Sequence, residues 1–185
     1  MPLTITPGGA SDDALVSLVD FKAYADARGW DYSAMDDAAE IEPAIRRGTV
    51  WVEGVGGPTE RLPKRWPGVR ASASQRREWP RSGAVFTDGT AISASTIPTQ
   101  VADAVSEAAW FDLNNAGILF ATVTPTDVVK SESVGGAGVK VEYRDGGDVQ
   151  AARVMLTSVR DLLASILVPD LKGPSLWMGS VGKVI

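Results

Sequence analysis

The chain has 185 residues and a formal net charge of −5, and it contains neither cysteine nor histidine. This length suits one packed domain with extensions, and the missing residue types exclude disulfides, thiolate chemistry, the commonest general base and the commonest metal ligand. Because no apolar run reaches the roughly 18 residues of a membrane span, and no signal peptide opens the chain, the sequence predicts a soluble, intracellularly made protein. We expect no enzyme activity, no metal and no cofactor.

The N-terminal part predicts an arm followed by a first helix. Residues 1–16 form the arm, since two prolines and a Gly-Gly pair occur in its first ten residues. Ser17 and Asp20 have the spacing of a capping box, which marks a helix start. Gly29 suits the left-handed position that ends a helix, so the first helix should run from Ser17 to about Arg28. The expected apolar residues of this helix and of the segment after it are Val19, Phe21, Tyr24, Ala25, Trp30 and Tyr32.

A second helix is predicted to begin near Glu42. Proline costs about 3 kcal/mol in a helix interior but is tolerated in the first turn, so Pro43 must lie close to the start. A short turn capped by Asp36 or Asp37 should precede it, and acids at helix starts are more often caps than metal ligands. The apolar side recurs at helical spacing in Ile41, Ala44, Ile45, Thr49 and Val52.

A long connector over residues 54–96 carries most of the basic charge. Seven basic residues and one acid, Glu78, lie between Arg61 and Arg81. Such a run indicates either nucleic-acid contact or a charge-complementary junction with another subunit. The length of the loop indicates a function or ordering by a partner.

Within this connector, Trp79 is expected to be an anchor where the chain changes direction. Residues 72–78 can form a helical turn that ends before Pro80, because a residue preceding proline is pushed out of the α region. Arg76, Arg77 and Arg81 can stack on the indole or pair with carboxylates of a neighbouring chain. The alternative is a buried Trp79 with solvated arginines.

A third helix is predicted to start at Ile97-Pro98. Its apolar stripe comprises Val101, Val105, Ala108, Ala109 and Leu113, and its wet face comprises Gln100, Asp103, Ser106 and Glu107. The small alanines allow another helix to approach closely. Trp110 and Phe111 extend the apolar surface beyond one face, so part of it is expected to meet a neighbouring subunit.

The C-terminal third predicts a hairpin, a fourth helix and a tail. Residues 127–143 flank a glycine-rich tip at 135–138, and apolar and charged residues alternate over 139–143. This is typical of a β-hairpin, which we expect to gain stability by packing on another subunit. A helix capped by Asp148 should end at Pro169. Residues 170–185 are apolar without period, which indicates a docking peptide or a tail folded back on its own domain.

Several motifs in this order resemble the head–tail connector (adaptor) proteins of tailed bacteriophages and gene transfer agents. They are Ser17–Gly29, Ala44–Arg47, Gln75 with Trp79–Gly83, Asp88-Gly89, Ile97-Pro98 and Val129–Gly135. The resemblance covers most of the chain. Some proteins of this kind are catalogued as single-stranded-DNA-binding proteins of a primosomal, DnaT-like type.

The resemblance implies a mainly α fold: a small helical bundle at 17–169 with the long loop, the hairpin extension and the tail. It implies a dodecameric ring beneath the portal in the neck of the virion, made in the host cytoplasm, which extends the double-stranded DNA channel and joins head to tail. The expected partners are other copies of the chain, the portal, and a stopper, tail-terminator or other tail protein, with no membrane. The alternative function is single-stranded-DNA binding in phage replication, in which Trp66 and Trp79 stack on bases while Arg65, Arg70, Arg76, Arg77 and Arg81 hold phosphates.

Two groups of residues are expected to carry the connector function. The tail would dock on the portal through Leu171, Leu176, Trp177, Met178, Val181, Val184 and Ile185. Contacts between subunits or within the connector would use Arg76, Arg77, Trp79, Arg81, Lys130, Glu132, Val139, Val141 and Tyr143. The excess negative charge of the rest of the chain opposes the DNA-binding alternative.

Overall fold

A computed structural model describes residues 2–55, 64–120, 129–135, 138–143 and 156–169. The fold is mainly helical, as predicted, and no described helix is long and apolar enough to cross a bilayer. The helices are α1 (Leu18–Arg28), α2 (Glu42–Val55), α3 (Thr99–Asn114) and α4 (Thr157–Leu163), with a π-helical turn at Asp37–Ile41 and a 3-10 turn at Ile118–Phe120. The strands are β1 (Lys64–Arg65), β2 (Val69–Arg70), β3 (Arg81–Ser82), β4 (Val129–Gly135), β5 (Gly138–Tyr143) and β6 (Val168–Pro169).

Local capping signals set both ends of α1. The Ser17 hydroxyl accepts from the backbone N–H of Asp20, and Gly29 ends the helix at φ 68°. The predicted bounds are therefore confirmed. Phe21 and Ala25 are buried, but the assignment of Val19 to the apolar side is wrong, since its side chain is 74% exposed. Phe21 and Ala25 lie one turn apart and define the inner stripe, which turns Val19 to solvent.

The start of α2 is also confirmed. Asp36 caps the π-helical turn by accepting from the backbone N–H groups of Ala38 and Ala39. Pro43 then occupies the first turn of α2, where its missing donor is harmless. The N-terminal segment packs on this helix: Ala14, Leu15 and Val16 are buried, and the N–H of Leu15 donates to the hydroxyl of Thr49.

The core forms where α2 meets α3. A Cβ on Gly48 of α2 would lie 2.9 Å from the backbone nitrogen of Ala109 on α3, so the two backbones are nearly in contact. The close helix approach predicted from the alanines is therefore found, with Gly48 as the facing residue. The prediction that Ser106 lies on the solvent-exposed face of this helix is wrong. Ser106 is buried, and its hydroxyl donates to the Ala102 carbonyl one turn earlier.

Two short antiparallel ladders hold the connector in place. β2 pairs with β3, opposing Val69 with Ser82, and β1 pairs with β6, opposing Arg65 with Val168. The predicted helical turn over residues 72–78 is wrong, because this stretch forms bends and turns. The prediction that the fourth helix reaches Pro169 is wrong as well: α4 ends at Leu163 and the chain returns as β6.

The predicted hairpin is confirmed. β4 and β5 pair from Val129 opposite Tyr143 to Gly135 opposite Gly138, with one irregularity between Val129 and Ser131. In the described part of the chain, the two strands make their extensive contacts with one another and none of comparable extent with the helices. The proposed cap at Asp148 and the tail at 170–185 lie outside the described residues.

Candidate functional site

Residues 66–82, which we call the arginine brace, bring both tryptophans of the basic run into the core. Trp66 and Trp79 meet edge to face at 5.7 Å between ring centroids. Trp66 is 4% exposed and donates from Nε1 to the carbonyl of Glu53, whereas Trp79 is fully buried and its Nε1 has no hydrogen-bond partner among the described residues. Neither indole face is open to a nucleobase.

Glu53 of α2 anchors the middle of the arginine brace. Its Oε2 accepts from Nη1 of Arg77 at 3.1 Å, and its Oε1 accepts from the backbone N–H of Glu78 at 2.8 Å. Nε of Arg77 donates to the carbonyl of Asp12 at 3.1 Å, which also ties the N-terminal segment to the brace. Burial raises the pKa of the Glu53 carboxyl, although the Glu78 N–H and the Arg77 guanidinium act in the opposite direction.

Arg81 joins the two sides of the β2–β3 ladder. Nε donates to the carbonyl of Pro67 at 2.7 Å and Nη2 to the carbonyl of Gly68 at 3.0 Å. Nη1 donates to the carboxylate of Glu78 at 2.7 Å. Burial lowers the pKa of Arg81, and the charge of Glu78 opposes this shift. All five donors of a guanidinium lie in one plane, which suits this multiple bonding to fixed carbonyls.

Gln75 closes the turn between β2 and β3. Its Oε1 accepts from the N–H of Ser72, and its Nε2 donates to the carbonyls of Arg77 and Pro80. The amide thus satisfies three backbone groups of a segment that has no regular secondary structure. In the helical turn predicted over residues 72–78, such backbone groups would have bonded one another instead.

The two remaining arginines of the arginine brace are exposed but also bonded within the chain. Arg70 donates to the carbonyl of Gln75 at 3.3 Å, and Arg76 pairs with Asp13 at 2.9 Å. In the described part of the chain, no guanidinium lies over the Trp79 ring, and the carboxylates that the brace pairs with belong to its own chain. Pairing with a neighbouring chain through these residues stays a prediction.

The structure describes the hairpin residues among the other predicted site residues by their backbone pairing, and it does not describe the tail residues. Lys130, Glu132, Val139, Val141 and Tyr143 lie on the hairpin, of which the structure describes the backbone register. The tail residues from Leu171 to Ile185 lie outside the described residues. Two acids near helix starts bond backbone groups: Asp36 is a cap, and Asp12 accepts from the N–H groups of Thr6 and Gly9.

An aromatic corner joins α1 to α3, and the sequence did not predict its pairing. Trp30 stacks on Trp110 at 4.7 Å with 7° between the planes, and Tyr24 meets Trp30 edge-on at 5.6 Å. The hydroxyl of Tyr24 donates to Glu107, and burial together with this bond raises the pKa of Tyr24. Part of the Trp110 surface expected to meet a neighbour is therefore covered by the chain itself.

A cavity of about 190 Å³ lies beside this aromatic corner. It is lined by Glu107, Trp110, Phe111, Asn114, Asn115, Leu156 and Ser158.

The fold and the internally bonded arginine brace define a small, mainly helical protein whose most distinctive cluster is structural. The chain matches the family described as "Putative DnaT-like ssDNA binding protein" over residues 1–180, and it belongs to that family. No significant match was found among curated proteins or among solved structures.

Proposed function

We propose that this protein is a head–tail connector subunit of a tailed phage, which assembles as a ring beneath the portal and extends the DNA channel. The observation that carries the proposal is the burial of the groups that would otherwise grip DNA. Trp79 is fully buried, and Arg77 and Arg81 are each 8% exposed. Because Trp79 is buried and both arginines are bonded inside the chain, this part of the arginine brace is a scaffold rather than a binding surface.

The hairpin supports an assembled state. A two-stranded hairpin is marginal in water unless one of its faces packs on another layer. Within the described residues, β4 and β5 make extensive contacts only with each other, so a neighbouring subunit is the natural source of the missing layer. The apolar tail at 170–185 would supply the second contact, with the portal, and many weak contacts in a ring add by avidity.

The family description favours a second function, the binding of single-stranded DNA. Two exposed arginines of the arginine brace, Arg70 and Arg76, remain the groups closest to that role. Each makes one intrachain bond, through Nη1, to the carbonyl of Gln75 or to the carboxylate of Asp13. The acidic remainder of the chain opposes approach to DNA at low salt.

A titration with a fluorescent single-stranded oligonucleotide separates the two functions. If the protein is a head–tail connector subunit, it should bind the oligonucleotide weakly, and the double change Arg70→Ala with Arg76→Ala should leave that binding unchanged. Tight binding that weakens steeply with salt and is lost in the double variant, but kept in the matched control Arg160→Ala, would favour the second function. Arg160 suits the control because its side chain is 57% exposed and lies on α4.

Electron microscopy of the chain mixed with its cognate portal protein tests the connector directly. We expect a ring seated on the portal, and we expect removal of residues 171–185 to leave the domain folded but abolish docking. A truncated chain that still docks would contradict the role of the tail. A full-length chain that does not bind the portal would contradict the proposed connector function.

A further inference from the structure

Arg47 of α2 is held by one side only. Its Nε donates to Oδ2 of Asp112 on α3 at 2.6 Å. The Arg47 side chain is 43% exposed, whereas the Asp112 side chain is fully buried. Among the described residues, no acceptor bonds the two Nη groups of Arg47, so most of the donors of its guanidinium remain available.

Burying the carboxylate of Asp112, which pairs with this arginine, costs free energy. Its Oδ1 is buried and has no hydrogen-bond partner in the described part of the chain. A buried carboxylate with one unsatisfied oxygen costs free energy that a single ion pair with a half-exposed partner recovers poorly. What the arrangement does provide is a fixed orientation, because the contact at Nε leaves the Nη edge of the guanidinium free.

Exposed apolar side chains lie on α2 and on the 3-10 turn that contacts it. Val50 follows Arg47 by one turn of α2 and is 47% exposed. Ile118 and Phe120, at 40% and 44%, belong to the 3-10 turn that follows α3 and contacts α2. We call these four residues the Arg47 surface. An oriented arginine together with an aromatic and two aliphatic side chains on two contacting elements is typical of a protein interface.

We propose that the Arg47 surface binds the acidic α1 region of a second copy of this chain. Residues 18–41 contain six acidic and two basic residues, and Asp20, Asp26, Asp31, Asp36 and Glu40 are exposed. Arg77 and Arg81 of the arginine brace are buried and bonded within their own chain, so they are poorly placed to meet a neighbour's acids. Arg47 is paired with Asp112 through Nε alone, so its Nη groups can donate to a carboxylate of the neighbouring copy.

This contact joins two different surfaces, so it is heterologous and can propagate around a ring. The inference rests on the proposed function for its biological setting, but the contact itself can be measured without the portal. Self-association of the chain alone tests the contact, and portal docking tests the connector.

The first experiment is site-specific cross-linking of the full chain at high concentration. Phe120 is replaced by the photoreactive residue p-benzoylphenylalanine, and the labelled chain is mixed with a ¹⁵N-labelled copy so that links between chains can be recognised by mass. We expect cross-links from position 120 to residues 18–41 of the other copy. Links to other regions, or none between chains, would overturn the inference even if a ring forms on the portal.

The second experiment changes the surface and measures self-association by sedimentation. Arg47→Gln should weaken it about tenfold, and Phe120→Ser, which does not touch Asp112, should do the same while the helical circular dichroism stays unchanged. Added salt should weaken the wild type more than Arg47→Gln, because the ion pairs are screened. Arg160→Gln is the matched control and should associate normally. Equal association of all variants would refute the proposed surface.

Discussion

Arg77 donates from Nη1 to Oε2 of Glu53 at 3.1 Å, although the two residues are 24 positions apart in the chain. Their side chains are 9% and 13% exposed. The pair fastens the centre of the basic run to α2, while Trp66 and Trp79 pack beneath it. Arg77 and Arg81, which the sequence alone would place on a charged surface, are thereby buried.

Removal of the Glu53 carboxylate should be strongly destabilising. Glu53→Ala leaves the Arg77 guanidinium buried without its counter-charge and also frees the backbone N–H of Glu78. We expect the free energy of unfolding to fall by about 3 kcal/mol, measured by urea denaturation. Asp161→Ala, which breaks an exposed pair with Arg160, is the control and should change it by less than about 0.5 kcal/mol. Similar losses in both variants would show that Glu53 is not an anchor.

The same carboxyl should make stability depend on pH. Because burial raises the pKa of Glu53 in the folded state, the folded protein binds more protons than the unfolded chain between the two pKa values. The contribution of this group is therefore present below the ordinary glutamate pKa of about 4.3 and is lost as pH rises through the folded value. Urea denaturation across this range should show the wild type losing stability relative to Glu53→Gln as pH rises. A constant difference between the two proteins would contradict the raised pKa.

Local signals predicted both ends of α1 and the start of α2, but not the end of α4. The Ser17 cap, the Gly29 ending and the turn capped by Asp36 depend on a few adjacent residues, so the sequence contains all the information that they need. The first turn of α2 could also be placed, because Pro43 excludes most other registers. These features require no knowledge of the rest of the fold.

The arginine brace could not be predicted in the same way. Whether Arg77 and Arg81 are solvated or buried depends on Glu53, Asp12 and backbone carbonyls that lie far away in the sequence. The helical turn expected over residues 72–78 failed for a local reason, since the Gln75 amide bonds backbone groups of Ser72, Arg77 and Pro80 without a helix. Ser106 is buried because α3 packs against several elements, including α2 and α4, which periodicity alone does not show.

Two glycines of the connector provide a matched test of the β2–β3 ladder. Both have left-handed backbones, with φ 63° at Gly68 and 67° at Gly83, but a Cβ at Gly68 would lie 2.3 Å from the carbonyl oxygen of Ser82, whereas nothing lies within 4 Å at Gly83. Gly83→Ala should cost about 1 kcal/mol for the backbone conformation alone. Gly68→Ala should cost about 2 kcal/mol more, because the ladder must move apart. Equal losses in thermal or urea unfolding would mean that the ladder is not tightly packed there.

The contact between α2 and α3 should resist even one added methyl group at Gly48. Alanine is favoured over glycine in a helix by about 1 kcal/mol, so a loosely packed site would be stabilised by Gly48→Ala. A Cβ there would lie 2.9 Å from the nitrogen of Ala109 and 3.0 Å from the carbonyl oxygen of Val105, and backbone atoms cannot rotate away. We therefore expect a net loss of about 1–2 kcal/mol in the free energy of unfolding. Val50→Ala on the exposed side of the same helix is the control and should be close to neutral. If Gly48→Ala proved more stable than the wild type, the helices would lie further apart than the structure places them.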